Sequence, residues 1–152
     1  MKVILSIAIT DAAGTNERFL CLEVMLAMIV GIGSDIARVE RFVQAIQRHG
    51  PRFAQRILGP DEHAAWLQKS QPAAFLAKRF AAKEAFVKAL GLGLREGMQW
   101  CDIQVLNDTL GKPHFVLSGQ AERLLLAAGV TASHVTLSDE AEYAVAFVVL
   151  ER

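Results

Sequence analysis

From Ala73 to Leu90 the chain runs eighteen residues without a glycine or a proline, and that run constrains the fold more than any other segment. It is rich in Ala, Phe and Leu, and Gly91 and Gly93 stop it, so it reads as one long helix. Phe75, Leu76, Phe80, Phe86, Val87 and Leu90, with many Ala between them, leave it apolar nearly all round, which predicts burial. Yet the same segment carries Lys78, Arg79, Lys83, Glu84 and Lys88. Arg79 and Lys83 are four apart and share a face, where like charges cost an isolated helix ~0.2–0.5 kcal/mol. Four cations around one acid on a buried helix cost more unless something anionic sits among them. Two readings stand side by side. In one, Glu84 pairs with Lys88 at i, i+4 and the other bases reach water along their stems; in the other, the helix meets an anionic ligand.

The flanking segments supply the rest of a small domain. Met28–Gly33 reads as a buried first strand, and Ile36, Val39, Val43 and Ile46 recur at helical spacing up to Gly50-Pro51. Pro51 suits the opening of a short helix to Leu58, closed by Gly59, and Pro60-Asp61-Glu62 starts another with acids in its first turn. After the long helix come strand-like Trp100–Leu106, a turn at Asn107–Lys112, strand-like His114–Leu117, and an amphipathic helix over Gln120–Ala128 that ends at Gly129. Val135–Leu137 and Tyr143–Leu150 finish as strands around an acidic turn at Asp139–Glu142. Helices first and a meander of strands after them predict an α+β domain, helices packed on a small antiparallel sheet, rather than a doubly wound one.

Composition narrows the classes. With 53% hydrophobic and 21% charged residues the chain is not a disordered one. Two cysteines, Cys21 and Cys101, make no disulfide framework and fit the reducing cytoplasm. Sixteen bases balance sixteen acids, which removes any global attraction to nucleic acid or an anionic membrane. The balance is uneven along the chain: residues 28–100 hold eleven bases and six acids, net +5, whereas residues 101–152 hold three and seven, net −4. A local cationic face for an anionic partner follows. Lys2 followed by Val3–Ile9 has only the outline of a signal peptide, and Phe19–Val30 is interrupted by Glu23 and too short to span a bilayer. Residues 1–27 are expected to be a weakly structured extension or an over-extended start, with the domain occupying 28–152.

Asp35 follows Gly31-Ile32-Gly33 at a strand end, where an N-cap is the plain role for it. Its other role pairs it with Glu84, since Mg²⁺ is held by one or two carboxylates completed by waters and substrate phosphates. Two acids beside Lys and Arg would suit a pyrophosphate. Segment 36–58 carries five Arg (38, 41, 48, 52, 56) against Glu40 alone, either a solvated face or a docking surface. Aromatic interleaving is sparse there and no nucleic-acid motif appears. The four His and two Cys show no metal-ligand spacing, and no Gly-x-Ser-x-Gly elbow is present.

Four segments in order resemble the holo-acyl carrier protein synthases, the small 4′-phosphopantetheinyl transferases: Gly31-Ile32-Gly33-Ser34-Asp35-Ile36; Phe75–Ala85 continuing through Lys88-Ala89-Leu90-Gly91; Gly111-Lys112-Pro113; and His134-Val135-Thr136-Leu137-Ser138. The resemblance covers 28–152. It implies that family's fold and its reaction: transfer of 4′-phosphopantetheine from coenzyme A to a serine of apo-acyl carrier protein, in fatty acid biosynthesis, releasing adenosine 3′,5′-bisphosphate. It implies Mg²⁺ on Asp35 and Glu84, and phosphate contacts from Arg79, Lys83 and Lys88, with Lys88 also stabilising the leaving group. Gly111, Lys112 and Pro113 would line the nucleotide site, with His134 near the 3′-phosphate. Arg41, Arg52 and Arg56 would grip the acidic carrier, and relatives form trimers with interfacial active sites. One position departs: many relatives have a histidine where this chain has Asp139, an acid that is unhelpful beside a phosphate unless it points away. The competing expectation is a non-catalytic module that uses the Arg-rich face to hold an acidic protein or nucleic acid.

Overall fold

The computed structural model describes the backbone of residues 2–10 and 17–25 and, in full, residues 28–152. β1 (Lys2–Thr10) and β2 (Glu17–Met25) pair antiparallel, Lys2 opposite Met25, in a ladder separate from the other sheets. The segment expected to be weakly structured thus contains paired strands. The chain continues as β3 (Ile29–Arg38), α1 (Val39–His49), α2 (Pro51–Gln55), α3 (Pro60–Trp66) and α4 (Pro72–Leu90). A 3₁₀ turn at Trp100–Asp102 then precedes β4 (Ile103–Asn107), β5 (Pro113–Leu117), α5 (Gly119–Ala127), β6 (Ala132–Glu140) and β7 (Tyr143–Glu151). The order β3-β7-β6 makes a three-stranded antiparallel sheet, and β4-β5 a hairpin. The α+β expectation holds. Among the described residues no helix is long and apolar enough to cross a membrane.

Three boundaries differ from the sequence reading, each for a tertiary reason. β3 runs five residues beyond Gly33 because its partner holds it: Asp35 lies opposite Ala146, and Arg38 opposite Tyr143. Gly33 and Ala37 point into the core while Ile32, Ser34, Ile36 and Arg38 face out, a period of two. The helical spacing of Ile36 with Val39 therefore straddles an element boundary. Asp35 consequently does not cap α1; the cap position is Arg38, which makes no side-chain cap bond. Trp100–Asp102 forms a turn instead of opening β4, with the Gln99 amide donating to the Asp102 carboxylate at 3.1 Å. Asp139 and Glu140 belong to β6, leaving Ala141 and Glu142 as the turn.

α4 lies across the inner face of the three-stranded sheet. Its core neighbours include Phe86, Leu76, Ile103, Val105, Val148 and Leu150, all buried; each such side chain contributes about 1.5–3 kcal/mol by leaving water. Phe86 packs on Phe115 with ring centroids 5.0 Å apart, and Phe80 bridges Phe42 and Trp100 at 5.4 and 5.3 Å. Helix and strand approach more closely than side chains would permit. A Cβ added to Gly31 would stand 1.9 Å from the Ala89 carbonyl oxygen, and one on Gly33 1.9 Å from that of Ala85. Gly31 and Gly33 are therefore a packing pair that seats α4 directly on the strand backbone. Gly91, at φ +76°, ends α4 in the left-handed conformation that glycine accepts without strain.

Gly33→Ala should cost about 1–3 kcal/mol or more, because the clash is with backbone that cannot rotate away. Urea denaturation reads this directly. Activity of the folded fraction should fall as well, since the carboxylates described next depend on this spacing.

Candidate active site

The glycine contact fixes what stands beside it. Two residues beyond Gly33 on the same face of β3, Asp35 reaches the far turn of α4, where its Oδ1 accepts from Lys88 Nζ at 2.7 Å. The same ammonium donates to the Ser34 carbonyl at 3.0 Å. Asp35 is largely enclosed, while Lys88 remains half exposed. Lys88 thus pairs with Asp35, not with Glu84 at i, i+4. Glu84 is half-buried one turn back on α4. Burial pushes its carboxyl above the usual carboxylate range, the charge of Asp35 pushes it further, and Lys88 offsets part of this. Asp35, Glu84 and Lys88 form one cluster at the strand–helix contact.

A second site lies around the other side of α4. A cavity of about 740 Å³ is lined by Lys69, Lys78, Arg79, Gly111, Pro113 and Asp139, among others. The Arg79 guanidinium stacks over Phe75 at 4.5 Å, and its Nη2 donates to Asn107 Oδ1 at 2.6 Å. Asn107 Nδ2 in turn donates to the Gly111 carbonyl at 2.6 Å, so one side chain ties the helix to the β4–β5 turn. Asp108 shapes that turn by accepting from the amides of Leu110 and Lys112 at 2.9 and 2.8 Å, with Gly111 at φ +88°. Arg79 Nε is buried without a partner among the described residues. Burial lowers the Arg79 pKa, partly offset by Glu62. A buried guanidinium with an unmet donor on a cavity wall suits an anion.

The predicted residues do not all converge. At about 100° per residue, Arg79 and Lys88 stand roughly opposite one another around α4, so they face different sites. Lys112 is exposed and its neighbours Gly111 and Pro113 line the cavity. His134 lies on the outer face of β6, its Nε2 3.1 Å from Glu151 Oε2, apart from the residues lining the cavity. Arg41, Arg52 and Arg56 are exposed and form no ion pair with an acid among the described residues. Arg41 and Arg56 border a groove of about 440 Å³ floored by Phe42, Phe53, Phe80 and Trp100.

Lys83 is corrected outright. It is fully buried, and its three donors are spent on Glu62 Oε2 at 2.6 Å, the Ile57 carbonyl at 2.6 Å and the Trp100 carbonyl at 3.0 Å. No N–H remains for a phosphate. Burial lowers its pKa, and the adjacent Glu62 carboxylate opposes that shift. Glu62, also fully buried, accepts from the Gly59 amide at 3.0 Å and the Val105 amide at 2.9 Å as well. The sequence reading placed Glu62 only as a helix-start acid; its single hint was a buried lysine needing a counter-charge. Asn107 was read only as part of a turn.

The chain matches the 4′-phosphopantetheinyl transferase superfamily over residues 31–148, and it belongs to that family. It is 51% identical over 123 residues, 81% of this chain and 98% of the relative, to the holo-[acyl-carrier-protein] synthase of Vibrio parahaemolyticus. It is similar to the crystal structure of the synthase from Neisseria meningitidis, with a TM-score of 0.78 and 41% identity over 82% of this chain and 100% of that one. The synthase from Bacillus anthracis, solved in complex with CoA (3′,5′-ADP), aligns with a TM-score of 0.68 and 37% identity over 82% of this chain and 97% of that one.

Two predictions follow from the charges. Lys83→Met should destabilise the fold by about 3–5 kcal/mol, because it leaves Glu62 buried and unpaired; the double variant Glu62→Met/Lys83→Met should lose less than the sum of the singles, as denaturant titration of all three would show. Glu84→Gln should raise the melting temperature at neutral pH. A raised carboxyl pKa means that stability present below the unfolded value of about 4.3 is lost as pH rises through the folded value. The gain should therefore vanish near pH 4 and grow above it.

Proposed function

We propose that the chain transfers 4′-phosphopantetheine from coenzyme A to a serine of apo-acyl carrier protein, a step of fatty acid biosynthesis carried out in the cytoplasm. The observation that carries this reading is the pair Asp35 and Glu84, held across the close contact of β3 with α4 with Lys88 beside them. A module built only to bind would leave that costly pair of acids without a purpose.

The donor chemistry fits a hard divalent cation. Both groups are carboxylates, and burial, then the charge of Asp35, raises the proton affinity of Glu84, a strain that a cation between them would relieve. In our reading Asp35 and Glu84 hold Mg²⁺. When bound, such an ion neutralises the pyrophosphate and makes its phosphorus more electrophilic. A carboxylate oxygen of Glu84 is placed to accept the serine proton. Lys88, half exposed beside Asp35, offsets charge on the departing bisphosphate. Arg79 and the turn at Gly111–Pro113 hold the nucleotide end in the neighbouring cavity. The exposed guanidinium groups of Arg41, Arg52 and Arg56 attract an acidic carrier, and the aromatic floor of their groove offers it an apolar seat.

The two clusters lie on different sides of α4, which favours an active site shared between copies. The outer sheet face is apolar and open: Ile32, Ile36, Val145 and Phe147 are 54%, 61%, 41% and 42% exposed, with Ile36 opposite Val145 across the strands. Burying that face against further copies in a homotrimer would bring the acids of one chain toward the cavity of the next. We further propose that residues 28–152 are sufficient for this activity and that 1–27 are dispensable.

Mass spectrometry of an apo-carrier incubated with coenzyme A, Mg²⁺ and the intact chain tests the reading. The carrier should gain the pantetheine arm, and Glu84→Gln should reduce the rate about a hundred- to a thousandfold, the size of a lost charge-stabilising group. Arg41→Glu should raise the KM for the carrier and flatten its salt dependence while leaving kcat nearly unchanged. A chain limited to 28–152 should retain activity. Full activity in Glu84→Gln would reject the assignment.

A further inference from the structure

The cavity wall around Arg79 carries two carboxylates. Glu62 is fully buried and neutralised by Lys83. The other is Asp139, near the end of β6, which is 47% exposed in its side chain and accepts from Lys78 Nζ at 3.0 Å. Lys78 precedes Arg79 on α4, and both line the cavity together with Gly111 and Pro113. The acid that the sequence marks as misplaced thus does not point away from the nucleotide site. It stands on the wall and holds one of the cavity's cations.

Resting on the coenzyme reading above, we propose that Asp139 is an affinity-setting residue: its carboxylate stands in for a phosphate oxygen on Lys78 and competes with the bound nucleotide for that ammonium. Three features carry this. The pair joins β6 to α4, so it ties together two elements of the cavity wall rather than decorating one. Lys78 is only 28% exposed in its side chain, which limits where its ammonium can go when the acid holds it. The pair is nonetheless partly solvated, and an ion pair of that kind is weak enough to be exchanged for a doubly charged phosphate. The consequence is a cavity that releases its anion readily. An enzyme whose product keeps two of its substrate's three phosphates gains turnover from such a brake, because tight binding of both would slow release without lowering the barrier.

Isothermal titration of the intact chain with adenosine 3′,5′-bisphosphate tests the assignment, with phosphate-free adenosine as the control. Asp139→Asn should bind the bisphosphate about two- to fivefold more tightly at low salt, the gain shrinking as salt rises. Asp139→Ser should behave alike, and neither should bind adenosine more tightly than the unaltered chain. Equal or weaker binding of the bisphosphate in both variants would overturn the proposal and make Asp139 an orienting partner for Lys78. A parallel gain for adenosine would also overturn it, pointing to room rather than charge. If the unaltered chain binds no bisphosphate, the coenzyme reading itself fails, a result distinct from either.

Discussion

The rest of the structure depends on how closely α4 comes to β3. With carbonyl oxygens of Ala85 and Ala89 standing where side chains at Gly33 and Gly31 would be, the helix rests on backbone rather than on a layer of side chains. That contact has a chemical consequence. A carboxylate on the strand two residues past the last glycine is brought near enough to a carboxylate on the helix for its charge to act on Glu84. With ordinary side chains at the contact, two elements pack about 10 Å apart, and Asp35 and Glu84 would each find water instead. The glycine pair is thus the device that converts distant acids into one site, and its cost in backbone freedom is set against that gain.

A second constraint holds the other side of α4. Glu62 and Lys83 neutralise one another inside the core, and through four further groups they tie the loop before α3, the turn at Trp100 and β4 to the long helix. A hydrophobic pair of similar volume would serve stability as well or better, as buried ion pairs seldom add net stability. What the ionic pair adds is direction. Each donor has a fixed partner, so the helix cannot slide or rotate on its neighbours without leaving a buried charge unmet. Glu84 follows Lys83 in the chain and inherits that fixed orientation.

The long helix, the order of strands and the glycine punctuation were legible in the residues, whereas the pairing of Asp35 with Glu84 was only one of two roles open to it and rested on the family resemblance. What escaped was decided by neighbours remote in the chain. The cap role of Asp35 is locally sensible, and only the pairing of β3 with β7 shows that the strand continues past it. Lys83 resembles its neighbouring bases in sequence, and only the fold supplies the carbonyls of Ile57 and Trp100 that consume its donors. Asn107 is an unremarked turn residue until Arg79 and Gly111 are placed on either side of it. Helical spacing shows which residues share a face, but not what that face meets.

The apparent excess of cations on α4 resolves once the faces are separated. Four bases and one acid in eighteen residues look like a single cationic stripe, yet they serve three different surroundings. Lys83 is consumed by the core, Lys88 is balanced by Asp35, and Lys78 with Arg79 turns to the cavity, where Asp139 answers one of them. The least compensated charge is Arg79, enclosed, with a donor unmet. A helix apolar on every side can carry this many charges because each leaves by its own exit, toward a different acid or an open cavity. That division also explains why the carboxylate cluster and the cavity lie on different sides of the helix: charges gathered on a single face would repel one another in a buried setting.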